Sequence, residues 1–219
     1  MKKQKPNKKK QNQQGFTLIE LLAVITIMGI LMMVAIPSVS RTIENSRRDT
    51  FKDTALAYLS AIKNSVAQDE ISCDSKPISA VDAGYYYYFL SSTQNTGTDL
   101  MQSGGKSSWG NAEVAGVIII KKTVDGTRTK YEYAMEFVDS VGRGFGTAKS
   151  DSDGTPVTTV VEAGIKRSAV STKNDGNRKK FYTDNSGNNP SKVPTAGTTK
   201  FGDTVIASGT TITKCTLDM

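Results

Sequence analysis

Gly15-Phe16-Thr17-Leu18-Ile19-Glu20, continued by an apolar run that reaches Pro37, decides how this chain is built. Residues 16–36 number 21 and carry one formal charge, that of Glu20. At about 1.5 Å per residue a helix of that length covers about 30 Å, the thickness of a bilayer's hydrocarbon core. Ahead of it stand Lys2, Lys3, Lys5, Lys8, Lys9 and Lys10 with no acidic residue among them. Positive charge of that density holds a flanking segment on the cytoplasmic side and sends the rest of the chain outward. A carboxylate near the end of a membrane helix is costly unless it is protonated or paired, so Glu20 demands a partner. A plain uncleaved anchor accounts for the lysines and the apolar run but leaves Glu20 without a reason.

These residues resemble the processing site of type IV prepilins. The resemblance implies that a prepilin peptidase in the membrane cuts after Gly15 and methylates the new amine of Phe16, so that Glu20 becomes the fifth residue of the mature chain. It implies that Glu20 of one subunit pairs with the Phe16 amine of its neighbour, with identical subunits and the pilus assembly machinery as partners. Gly29 and Pro37 fall where the family's long first helix kinks or melts. Glycine weakens a helix interior and proline removes a backbone donor, which suits that role physically. The leader of fifteen residues is longer than the short type associated with an N-terminal phenylalanine. The likeness covers roughly the first quarter of the chain, and beyond it only the physical reading of the residues applies.

Cleavage changes the charge argument. The whole chain carries +7, and losing the six leader lysines lowers that to about +1, so the global basicity that would favour nucleic acid disappears. Past Pro37 the helical pattern continues: Val39, Ile43, Phe51, Ala55, Leu59, Ile62 and Val66 recur mostly three or four apart, with Arg41, Glu44, Arg47, Arg48, Asp49, Lys52, Asp53 and Lys63 on the other faces. That spacing predicts an amphipathic helix with one buried stripe. The expected organisation is a cleaved leader over 1–15, a membrane or filament-core helix over 16–36, its amphipathic continuation over 37–68, and a globular β-rich head over 69–219. About 150 residues suit one domain with a real core.

In the head, 114–122 and 129–138 are rich in β-branched and aromatic residues and flank Asp125-Gly126, a strong hairpin signal. Weaker strands are expected at 156–161 and 179–182, and a closing pair at 204–207 and 210–215 around Ser208-Gly209. The fold class is therefore α+β: a long N-terminal helix packed on an antiparallel sheet, pilin-like by the resemblance. Residues 171–200, crowded with Asn, Gly, Ser, Thr, Pro and Lys, read as an exposed loop. Cys73 and Cys215 are the two cysteines, and the orientation above places both in an oxidising compartment. A disulfide between them is the expected pairing, with two free thiols as the alternative. A zinc centre lacks ligands in a chain without histidine.

Other patterns weigh less. Gly142-Arg143-Gly144-Phe145-Gly146 looks like part of a nucleotide loop, but no amphipathic helix follows, so a tight turn is expected. Asp151-Ser152-Asp153-Gly154 echoes a calcium loop without its remaining ligands and reads as an Asp-Gly turn. The aromatic run Tyr85 to Phe89 reads as buried packing before base stacking. Lys166, Arg167, Lys173, Arg178, Lys179 and Lys180 read as solvated surface diluted by Asp175 and Asp184. No cofactor, no metal and no catalytic residues are expected, because no nucleophile, base and orienting group come together. The expected function is a structural subunit of a type IV pilus-like filament, held in the cytoplasmic membrane as a precursor with its N-terminus inside and later part of an extracellular filament. Alternatives are a pseudopilin of a type II secretion or DNA-uptake system, a minor adhesive pilin, or an adhesive module on a membrane stalk.

Overall fold

The computed structural model describes residues 15–73, 76–91, 106–145, 159–160, 165–172, 196–197, 199–202 and 204–217. Its contacts divide the chain into two units, Met1–Glu44 and Asn45–Met219. One helix, α1 (Leu18–Ala67), carries residues of both.

In the first unit the apolar side chains of α1, from Leu18 to Ile43, are exposed, and the apolar window is long enough to cross a membrane with none of it buried. A core helix of a soluble protein would hide such a face; this one offers it all round. The helix is unbroken through Gly29 and Pro37.

In the second unit α1 buries Phe51, Ala55, Leu59, Ile62 and Val66 of the stripe expected from the three-and-four spacing, with Tyr58 added, whereas Val39 and Ile43, expected in the same stripe, are exposed because they precede the part of the helix that meets the sheet. The helix ends in a Schellman arrangement: Asp69, at φ 65°, donates its N–H to the Val66 carbonyl at 3.3 Å, and Glu70 donates to Ser65 at 2.9 Å.

The sheet comprises β1 (Ile71–Cys73), β2 (Lys76–Pro77), β3 (Gly84–Ser91), β4 (Lys106–Ser107), β5 (Gly110–Asp125), β6 (Arg128–Asp139), β7 (Gly144–Phe145), β8 (Thr159–Val160) and β11 (Ile212–Leu217); β9 (Lys200–Phe201) and β10 (Thr204–Val205) form a separate pair. Its order is β2-β1-β11-β3-β5-β6-β7, with β4 on β5 and β8 on β6. The α+β class expected from the sequence is the class found, with one refinement: the sheet is mixed. β11 enters between β1 and β3, antiparallel to the first and parallel to the second.

The β5–β6 hairpin is the longest pairing, running from Val114↔Asp139 to Asp125↔Arg128. Its two-residue loop is Gly126-Thr127, one position later than the Asp125-Gly126 pattern suggests. Gly126 takes φ 58°, as the first position of a type II′ turn demands. The closing pair expected at 204–207 and 210–215 does not form. β10 pairs β9, and β11 joins the main sheet, where Cys215 stands directly opposite Cys73.

Both faces of the sheet are covered, which explains the unbroken apolar run Val117-Ile118-Ile119-Ile120 in its centre. Ile118 and Ile120 face α1 with Tyr86, Tyr88, Met135 and Phe137. Val117 and Ile119 face the other way, with Tyr87, Phe89, Phe201 and Ile206. The aromatic run in β3 is thus split by strand alternation between two cores, as packing residues.

Candidate processing and assembly site

Gly15, Phe16 and Thr17 precede the helix without regular structure, and Phe16 is 90% exposed. The bond between Gly15 and Phe16 therefore lies in accessible, non-helical chain, the state in which a peptidase can take a backbone. Helix α1 starts immediately afterwards because Thr17-Leu18-Ile19-Glu20 forms a capping box. The Glu20 carboxylate accepts from the Thr17 N–H and from the Thr17 hydroxyl, each at 2.8 Å, and the Glu20 N–H donates to Thr17 Oγ1 at 3.4 Å.

This modifies the reading of Glu20. Its carboxylate has a partner within the same chain, and sequence reasoning missed Thr17, although a threonine three residues before a glutamate at a helix start is the signal for it. Both side-chain bonds fall on Oε2, so the lone pairs of Oε1 remain for another donor. Among the described residues Gly29 meets nothing within 4 Å of where a Cβ would stand, so packing against them does not require a glycine there. Pro37, inside α1, supplies no N–H to the Met33 carbonyl one turn earlier, which weakens the ladder locally.

Cys73 and Cys215 form a disulfide across β1 and β11, closing a sequence separation of 142 residues, and both lie in the main core at 0% and 1% exposure. The bond ties the strand that follows α1 to the last strand of the sheet.

The remaining patterns resolve into structure. Gly142 and Gly144 belong to a turn after β6 that leads into a strand, not a helix. Buried Asp139 organises it, accepting from Ser107 Oγ at 3.0 Å, the Val141 N–H at 3.0 Å, the Arg143 N–H at 2.9 Å and Arg143 Nε at 2.8 Å. Gly144, at φ 146°, has no room for a side chain, since a Cβ would stand 2.2 Å from the Phe137 carbonyl. Lys122 is buried with its ammonium among the carbonyls of Ile78, Ser79 and Val81, which pins the short 3-10 turn after β2.

Arg167 is tied to Asp49 by a two-pronged ion pair, with Nε to Oδ1 at 2.8 Å. The guanidinium holds the Asp49 carboxyl below its ordinary range. Asp151-Ser152-Asp153-Gly154, the strand expected at 179–182, and Lys173, Arg178, Lys179 and Lys180 lie outside the described residues, as does most of 171–200. Among the described residues no three His, Cys, Asp or Glu side chains are grouped to hold a metal.

Residues 10–36 match the family model described as the prokaryotic N-terminal methylation motif. The N-terminus carries the methylation motif of type IV prepilins. The motif implies processing by prepilin peptidase, and with the exposed apolar helix it anchors the pilin precursor in the membrane. No curated protein and no solved structure matches the chain.

Proposed function

We infer that the protein is a structural subunit of a pilus-like filament, cut after Gly15, methylated on Phe16 and polymerised with identical subunits through its N-terminal helix. The observation that carries this reading is the placement of Glu20 at the start of an exposed apolar helix, with Oε2 engaged by Thr17 and no hydrogen bond to Oε1 among the described residues. Cutting after Gly15 creates an amine on Phe16, and the same amine on a neighbouring subunit is a cation that suits Oε1. In an apolar filament core such a pair attracts strongly, and removing one member strands the other charge. Gly29 and Pro37 mark the part of the helix with the weakest ladder, where the change from membrane to filament is accommodated most easily. The head, stapled by its disulfide, suits display outside the cell, and the role is structural rather than catalytic.

Glu20→Gln tests the pairing, because it keeps shape and hydrogen-bonding capacity and removes the charge. Expressed with the assembly machinery, the variant should be cleaved and inserted normally while filament yield drops sharply. Normal filament number and length from Glu20→Gln and Glu20→Ala would refute the pairing. Subunit abundance in purified surface filaments separates the alternatives: a major pilin is abundant, a minor adhesive pilin rare, and a pseudopilin of a secretion or DNA-uptake system missing from them.

A further inference from the structure

The grip of the head on its own helix changes character at Phe51. From Phe51 to Val66 a buried side chain recurs every three or four residues. Between Asn45 and Thr50 no side chain is buried; Arg48 and Asp49 are half-buried and the others exposed. Polar contacts to two other segments engage this earlier stretch. Ser108 Oγ donates to the Arg47 carbonyl at 2.8 Å, Arg48 Nη2 donates to Thr172 Oγ1 at 3.3 Å, and Asp49 takes the Arg167 guanidinium on both oxygens. Lys52 also approaches Asp49, at 3.8 Å, and lies closer to Asp53, at 3.3 Å.

Segment 165–172, which supplies Arg167 and Thr172, has anchors of its own. Ile165 and Val170 are buried in the main core, and Ser171 exchanges two backbone hydrogen bonds with Gly144, at 3.0 and 2.7 Å. It therefore stays in place whether or not the helix is held. Apolar contacts are insensitive to modest salt, whereas a part-exposed ion pair is screened by it. The two stretches of helix within this unit are held by forces that respond differently to the same condition.

We propose that residues 45–50 form a charge-held clasp, closed by Asp49 and Arg167, which opens while Phe51–Val66 stays docked on the sheet. A subunit that exchanges a membrane for a filament then has a stretch of helix that can loosen without exposing the apolar core. That consequence rests on the filament reading above; the clasp itself does not.

The test is hydrogen exchange, followed by mass spectrometry, on the full-length chain in detergent micelles at about 0.05 and about 0.5 M sodium chloride, where screening lengths differ by roughly three-fold. Exchange of the amides over 45–50 should rise about two- to five-fold with salt. Asp49→Asn, Arg167→Gln and the double variant should show the fast rate already at low salt and lose the salt response. The amides over 55–66 should keep their protection throughout, and Asp53→Asn, which removes an exposed carboxylate on the same helix, should behave as wild type. The proposal is overturned if the 45–50 amides respond neither to salt nor to the variants, or if 55–66 opens in step with them. Filament yield plays no part in this assay, so its failure would leave the proposed function untouched.

Discussion

Removing the disulfide should be the most damaging mild change that can be made to the head. Cys73 and Cys215 face each other in one register position of the β1–β11 pair, and the covalent bond closes a separation of 142 residues. Loss of loop-closure entropy from the unfolded chain over such a length is worth roughly 5 kcal/mol, and measured losses for native disulfides run about 2–5 kcal/mol. Domains of this size have about 5–15 kcal/mol in total, so a variant without the bond sits near the threshold of folding. Alanine at both positions is the proper perturbation, because serine would bury two hydroxyls at sites that are 0% and 1% exposed. Urea unfolding of the full-length chain in detergent, followed by the fluorescence of Trp109, should show a midpoint lowered by an amount equivalent to at least 2 kcal/mol. Because both sulfurs are buried, reductant alone should reach them only when the head opens, so thiol labelling of native protein should be slow and become fast in denaturant. A loss below about 1 kcal/mol in the double alanine variant, or immediate labelling of both cysteines in the folded protein without reductant, would refute the argument.

Other outcomes are equally definite. Gly15→Val should leave uncut precursor in the membrane, and mass spectrometry finding a chain that begins with methylated Phe16 in that variant would displace the processing site. Asp69→Gly should stabilise the head by about 0.5–1 kcal/mol, since a non-glycine residue there holds φ 65° and places an acid at the C-terminal end of α1; unchanged or lower stability by urea titration would contradict the capping account. Burial pushes the Tyr133 phenol up to about 12, with Tyr131 adding to the effect. The unfolded chain then ionises first, so this contribution to stability is whole below about pH 10 and is lost as pH rises toward 12. Tyr133→Phe should flatten that alkaline decline in an unfolding series, and an unchanged decline would assign it to other groups.

The N-terminal methylation motif was legible in the sequence because everything it needs is local. The methylation motif is matched within residues 10–36 and a bilayer reads a run of apolar side chains, and neither requires the rest of the fold. The amphipathic part of α1 and the β5–β6 hairpin were legible for the same reason, since period and turn chemistry act within a dozen residues. The placement of Glu20 was visible, but its first partner was not recognised, although the Thr17 capping box is itself a local pattern.

Partner choice across long separations was decided only by the tertiary structure. Thr204-Val205 and the strand around Cys215 lie a few residues apart and look like a hairpin, yet β11 gains more by entering the sheet. There it pairs on both edges, buries Cys215 and completes the disulfide with Cys73. Asp49 and Arg167 stand 118 residues apart, and neither sign nor spacing distinguishes them from the other surface charges. Their meeting depends on Ile165 and Val170 being drawn into the core beside the helix. Sequence determined which segments become helix and strand through local periodicity and turn chemistry, and burial of the two faces of one sheet determined which of them meet.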